Sequence, residues 1–241
     1  MKALNEHIDT GPLNIHHVFN MYKEFFQRMD YDWWYTVQPG DVVVDVGACI
    51  GLFSCHALDK GASKVYMIEP NREYLKVAIK NTVDYVIDNI ESPVVPVHAA
   101  IQTHDGHSKQ IYDVDIAGEY KKYTFSRFVK DYNIDHIDFL KIDCEGGEYN
   151  ILTLENLDFI SKHVKHMAIE VHLRHDKTGP EDFIRFRDEF LNYFVEKEMV
   201  KYMPVAGIDY PTAINNDKAI LNKNFNVIPS EFMIYITNRE M

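Results

Sequence analysis

The sequence predicts an α/β fold: a mostly parallel central sheet of about seven strands with helices on both faces. Three observations lead there. Short apolar runs at 42–46, 64–68, 137–142 and 166–172 alternate with longer segments of helical apolar spacing. Val42 to Val46 is almost wholly apolar and β-branched, as in a strand covered on both faces, the normal state of a parallel strand. That strand then runs directly into a glycine turn and a helix.

The stretch from Asp41 to Ser54 is therefore the centre of the chain. Gly47 and Gly51 permit a tight turn and close approach of backbone to a ligand, with Ala48 between them, and Asp45 stands at the carboxyl end of the strand. The dinucleotide fingerprint G-x-G-x-x-G aims amides at a pyrophosphate; here the pattern is D-x-G-x-x-x-G. An acidic residue beside the turn repels a pyrophosphate and suits a cationic ligand, and the Gly-Lys-Ser/Thr of a P-loop is absent. A nucleoside carrying positive charge is the expected ligand.

Residues 1–241 read as a single domain, with an N-terminal helical and aromatic cap at 1–38 and the sheet core at 39–241. Apolar content of 46% is enough for a core without disulfides or metals, and the net charge of -12 disfavours adhesion to nucleic acid or an anionic membrane. The three cysteines, Cys49, Cys55 and Cys144, form no C-x-x-C pair and suit a reducing compartment. The first residues hold no apolar signal region, and no run approaches the roughly 20 apolar residues of a membrane span. A soluble, cytoplasmic protein is expected.

In chain order, apolar spacing predicts a helix over 13–29, and the cluster Tyr31, Trp33, Trp34, Tyr35 suits packing of that helix more than stacking on a sugar or adenine. Gly61 reads as the cap of a short helix, and the strand 64–68 ends in Glu69, about twenty positions past the glycines, where an acid accepts ribose hydroxyls. Pro70 and the N-cap Asn71 follow it. Residues 93–101 read as a third strand bringing Ala100 and Ile101 to the adenine side of a pocket. Segment 107–123 reads as one or two short strands, and Thr124 or Ser126 caps a helix through Val129.

The string from Ile137 to Glu148 is the second informative stretch. Lys141, Asp143 and Glu145 share a strand face, and charges at a buried strand end are costly unless paired or used; Lys141 neutralising Asp143 is the simplest pairing. A helix is expected from Glu148, carrying Ile151, Leu154 and Leu157 inward. A fifth strand, 166–172, brings Glu170 and His172 to the same sheet edge as Asp143. Phe183, Phe186, Phe190 and Phe194 form the core stripe of a helix over 181–197, and 205–230 reads as a loop between strands at 200–204 and 231–237.

VVVDVGACIG, MIEPN and, above all, IDFLKIDCEGGEYNIL followed by MAIEVH resemble the FkbM-type methyltransferases, over roughly residues 39–175 in family order. The resemblance implies a class I, Rossmann-like fold that transfers a methyl group from S-adenosylmethionine to a hydroxyl of a sugar or other small molecule. By position, Asp45, Gly47 and Gly51 match the cofactor loop, Glu69 the ribose acid, and Asp143, Glu145 and Glu148 the later signature. The family commonly has Asn where this chain has Cys49.

Methyl transfer to oxygen needs in-line positioning and a base for the hydroxyl proton. His172 is the preferred base, oriented or charged by Glu170 or Asp143, with Asp143 the alternative. No metal is assigned, since the sequence lacks a spaced ligand motif, although Asp143, Glu145, Glu170 and His172 leave a hard divalent ion open. Two rival classes remain. A nucleic-acid amino methyltransferase would place Asn/Asp-Pro-Pro-aromatic where this chain has Asp-Cys-Glu-Gly, and a non-catalytic nucleoside-binding module would not need Asp143 or His172. The expected partner is a small-molecule or glycan acceptor with a free hydroxyl, and neither nucleic acid nor membrane.

Overall fold

A computed structural model describes residues 8–85, 92–111, 114–173, 179–204 and 207–241. Among these residues ten strands form two sheets. The main sheet holds β1 (Val42–Val46), β2 (Lys64–Ile68), β3 (Val94–Val97), β7 (Ile137–Ile142), β8 (Val164–His172), β9 (Val200–Tyr202) and β10 (Glu231–Thr237), in the order β3-β2-β1-β7-β8-β10-β9. Its strands run parallel from β3 through β8, while β10 pairs antiparallel with both β8 and β9. A small sheet of β4 (Ala99–Ile101), β5 (Gly106–Ile111) and β6 (Val114–Tyr123) has the order β4-β6-β5.

Strand order reverses between β1 and β7: the chain builds outward from β1 to β3, then crosses to the other side. Such a reversal opens a crevice at the carboxyl ends of the two strands. Asp45 and Lys141 are register partners there.

The helices are α1 (Ile15–Tyr22), α2 (Leu52–Asp59), α3 (Arg72–Thr82), α4 (Phe125–Asp131), α5 (Leu154–His163), α6 (Gly179–Arg185), α7 (Asn192–Val195), α8 (Tyr210–Ile214) and α9 (Asp217–Leu221). A wider π-type segment, Lys23–Arg28, extends α1, and another, Phe186–Leu191, joins α6 to α7. The two-residue strand period sends Val44, Val46, Leu140, Ile142 and Ile169 to one face, against Phe128, Phe183 and Phe190. The opposite face presents Val43, Phe139 and Ala168 to Phe25, Tyr31 and Phe53, so the N-terminal cap lies on the face that also carries Asp45 and Lys141.

Several local expectations give way to tertiary context. The strand read over 93–101 is two, β3 and β4, in different sheets. The helix expected from Glu148 is a single tight turn, Glu148–Asn150; the helix proper starts at Leu154, whose side chain is exposed rather than inward. Its apolar spacing matched a helix, but Glu148 is held back by hydrogen bonds described below. The loop read over 205–230 contains α8 and α9, short helices whose few apolar residues gave little periodicity. Among the described residues no helix is long and apolar enough to cross a membrane.

Candidate active site

The crevice between β1 and β7 opens into a cavity of about 740 Å³. Gly47, Cys49, Glu69 and Pro70 border it on one side and Asp143, Glu145, Glu170 and His172 on the other. The cap closes it through residues between Pro12 and Phe25, among them His17, Met21 and Glu24. A second, small cavity of about 50 Å³ lies between Ile68, Ala100, Ile101 and Gly147, and shares Gly47, Pro70 and Cys144 with the first.

The glycine loop is shaped by close backbone approach. A Cβ on Gly47, whose φ is 80°, would stand 1.7 Å from the carbonyl oxygen of Asp143, so only glycine lets the two strand ends meet. Its N–H and that of Ala48 both donate to Ile68 O at 3.0 Å, fixing the loop to the end of β2. Gly51, also at φ 80°, lets α2 lie against Ala78 of α3. Cys49 adopts φ 50° and donates its backbone N–H to Glu69 Oε2 at 2.9 Å. Burial, with the nearby Glu69 charge, pushes its thiol up to about 12, so it is no nucleophile at neutral pH.

Glu69 is held from both sides: Oε2 by Cys49, and Oε1 by the N–H of Asn71 at 2.7 Å. Burial raises it to about 7 despite those two bonds. Asn71 itself caps α3, its side chain accepting from Glu73 and Tyr74 N–H.

Asp45 is placed differently from the sequence expectation. It is fully buried beneath the loop, accepting from Ser54 Oγ at 2.7 Å and facing Lys141 Nζ at 3.1 Å. Lys141 lies 3.4 Å from Asp143 Oδ2 and donates to Gly47 O at 2.9 Å. Burial opposes charge on Lys141, but Asp45 and Asp143 outweigh it and raise the ammonium further. Asp45 is thus the counter-ion of a buried lysine, not a wall of the cavity; Ala48, Gly51 and Asn71 likewise shape the loop and border neither cavity.

His172 also departs from its expected role. Glu148, wholly buried, accepts from the His172 backbone N–H at 2.7 Å, contacts its Nδ1 at 3.2 Å, and accepts from Gly146 N–H at 2.8 Å. Burial works against the imidazolium, yet Glu148, then Glu170 and Asp143, raise His172 to about 9. These acids favour the protonated form at neutral pH, and an imidazolium has no lone pair to act as a base. Glu145, with φ 56° and an exposed side chain, approaches Nε2 at 3.6 Å.

Asp143 and Glu170 face each other through one hydroxyl. Tyr31 Oη lies 3.0 Å from Asp143 Oδ2 and 2.9 Å from Glu170 Oε2. Burial, the Asp143 charge and Glu24 raise Glu170 to about 8; burial with Asp143 and Asp30 raises Glu24 to about 7. Asp143, Glu170 and His172 do bring donor atoms within 4.8 Å of one another, but the Tyr31 hydroxyl already bridges the two carboxyl groups.

The sequence reading missed Tyr31, Glu24 and the cavity-facing residues of α1. The signal available was an acidic residue, Glu24, next to the aromatic pair Phe25 and Phe26.

The sheet order, its antiparallel β10 and a crevice over β1 and β7 lined by a glycine loop and strand-end acids define a Rossmann-like fold of the methyltransferase kind. The sequence profile described as Methyltransferase FkbM domain matches residues 45–199, and the chain belongs to this family of methyltransferases. Among solved structures, methyltransferase FkbM from Methylobacillus flagellatus superposes with TM-score 0.55 at 18% identity, over 89% of this chain and 47% of that one. The chain thus spans about half the length of that relative. An rRNA methylase from Streptococcus thermophilus (TM-score 0.43, 12% identity, 98% of this chain and 99% of that) also matches. So does Aeropyrum pernix fibrillarin with natively bound S-adenosylmethionine (0.42, 10%, 87% and 72%). No curated protein matches in sequence.

Proposed function

We propose that this protein transfers a methyl group from S-adenosylmethionine to a hydroxyl oxygen of a sugar, glycan or other small hydroxylated metabolite, with Asp143 receiving the hydroxyl proton. The residues present fit the cofactor. Gly47 brings bare backbone to the cavity edge, Glu69 retains acceptor capacity for ribose hydroxyls, and Ala100 and Ile101 offer an apolar slot for adenine. Carboxyl groups at Glu24, Glu69, Asp143, Glu145, Glu170 and Glu231 border the cavity, and they favour a ligand with a sulfonium and an ammonium over a phosphorylated one. When bound, S-adenosylmethionine supplies an electrophilic methyl group.

Asp143 carries the reading. It stands on the cavity wall at the end of β7, beside the Gly47 loop, with Lys141 as counter-charge. Proton removal from the acceptor as the oxygen attacks needs an ionised group at that edge. His172, already protonated, is instead a cation that steadies the acids around it. The net charge of -12 and the acidic cavity disfavour a phosphate backbone as acceptor.

The test is incubation with methyl-labelled S-adenosylmethionine and pools of hydroxylated sugars and small metabolites, with RNA as a separate arm. Asp143→Asn should keep the fold and binding of S-adenosylhomocysteine while losing about a hundredfold or more in turnover. Label entering RNA, or an unimpaired Asp143→Asn enzyme, would refute it.

A further inference from the structure

Tyr31 stands outside the cavity, behind Asp143 and Glu170, with its ring 1% exposed and packed against Phe25 and Phe53. Packing does not require its hydroxyl. A phenylalanine would fill the same space, yet the oxygen sits in hydrogen-bond range of two carboxyl groups at 3.0 and 2.9 Å. A phenol has one hydrogen, so it can donate to only one of them. The other contact is a hydrogen bond only if that carboxyl carries a proton of its own.

The surroundings say which one does. Asp143 has the Lys141 ammonium at 3.4 Å as counter-charge, although Asp45 shares it. Glu170 feels the like charges of Asp143 and Glu24, and the nearby His172, within 4.8 Å, is itself paired with Glu148. Resting on the assignment of Asp143 as proton acceptor, we propose that Tyr31 is a positioning residue that lodges the single proton of the Asp143–Glu170 pair on Glu170. The Glu170 O–H donates to Tyr31 Oη, and the Tyr31 O–H donates to Asp143 Oδ2. Asp143 is thereby presented to the acceptor ionised, with its second oxygen free. Burial raises the phenol itself well above its ordinary range, so it stays a donor throughout.

The same chain of bonds ties the cap to the chemistry. Tyr31 lies in the turn Asp30–Asp32, which is anchored to the core by Asp32 against His56 Nε2 at 2.7 Å and by Asp30 O accepting from Tyr235 Oη. A cap out of place withdraws the phenol and leaves two carboxyl groups competing for one proton.

The experiment compares Tyr31→Phe with the unaltered protein in two ways: the pH profile of kcat, and ¹³C-carboxyl NMR titration of Asp143 and Glu170, which needs no turnover. Loss of the donor leaves the Asp143 carboxylate less stabilised, so its titration and the acid limb of kcat should both move up by about one pH unit. On that acid limb kcat should fall about tenfold, with the dissociation constant for S-adenosylhomocysteine within twofold. Should Tyr31→Phe fail to fold, a fluorotyrosine at position 31, a stronger donor of nearly the same shape, should move the Asp143 titration down. Unmoved titrations in the folded variants overturn the proposal, whatever the rate. If they move although the protein methylates no hydroxyl, the proton placement stands and the acceptor assignment fails.

Discussion

Glu148 Oε1 accepts from the backbone N–H of His172 at 2.7 Å and lies 3.2 Å from its Nδ1, joining the loop after β7 to the end of β8 through one buried carboxylate. The pair sets the charge of the site. His172 is raised to about 9 when folded, against about 6.5 unfolded, so its contribution to stability is complete below pH 6.5 and is lost as pH rises through 9. His172→Gln should cost about 2 kcal/mol at pH 6 and little at pH 10, read from urea midpoints across that range. Equal losses at both ends would show that the imidazolium is not the stabilising species.

Glu170 acts in the opposite sense on the resting protein. Its folded value of about 8 lies above the ordinary carboxyl value, so the folded state is progressively penalised as pH rises from about 4.5 to 8. Glu170→Gln should raise stability by about 2 kcal/mol at pH 8 and by almost nothing at pH 4. If the Glu170 proton keeps Tyr31 on Asp143, turnover should decline as pH rises through about 8, and the same variant should lose that decline.

Cofactor binding should release protons. Glu69 and Glu24 are both held near 7 by burial, and a cationic ligand with ribose hydroxyls against Glu69 favours the ionised forms. Calorimetry at pH 7 in buffers of different ionisation enthalpy should report release of on the order of half a proton or more per S-adenosylmethionine bound. Glu69→Gln should remove much of it.

Positions 47 and 49 of the glycine loop should respond in opposite directions. Gly47→Ala places a methyl group 1.7 Å from the Asp143 carbonyl, so it should abolish S-adenosylhomocysteine binding and cost about 3 kcal/mol or more. Cys49→Asn should instead gain about 0.5 kcal/mol, because asparagine tolerates φ 50° better than cysteine. Thermal melts with and without ligand separate the two effects.

Chelation tests the role given to Tyr31 against a divalent ion bound at the same carboxyl groups. Exhaustive treatment with EDTA should leave kcat within about 20% of its starting value, on the view that polar positioning and a protein base carry the chemistry. A loss restored by Mg²⁺ or Mn²⁺ would displace the Tyr31 bridge from the mechanism.

Much of this was legible because strand and turn chemistry are local. Val42–Val46 had to be a buried strand, Gly47 a point of close approach, and Glu69 an acid at the end of the next strand, since each follows from period, side-chain shape and offset within a few residues. The KIDCEGGE string likewise put Lys141 beside Asp143 as its simplest partner and carried the family resemblance.

What each charge does there was not legible. Asp45 and Lys141 are partners because β1 and β7, far apart in sequence, lie side by side; that register turns an expected ligand contact into a buried counter-ion. The charge of His172 is set by Glu148, which folds back on it instead of starting a helix. Tyr31, one aromatic among several in the cap, reaches Asp143 and Glu170 across more than a hundred residues of chain. The sequence by itself determined the strands at 42–46, 64–68 and 137–142, the glycine turn and the class of ligand. Protonation states and pairings were decided only by the tertiary structure, because they depend on burial and on distances of 3 to 4 Å between groups that no local pattern connects.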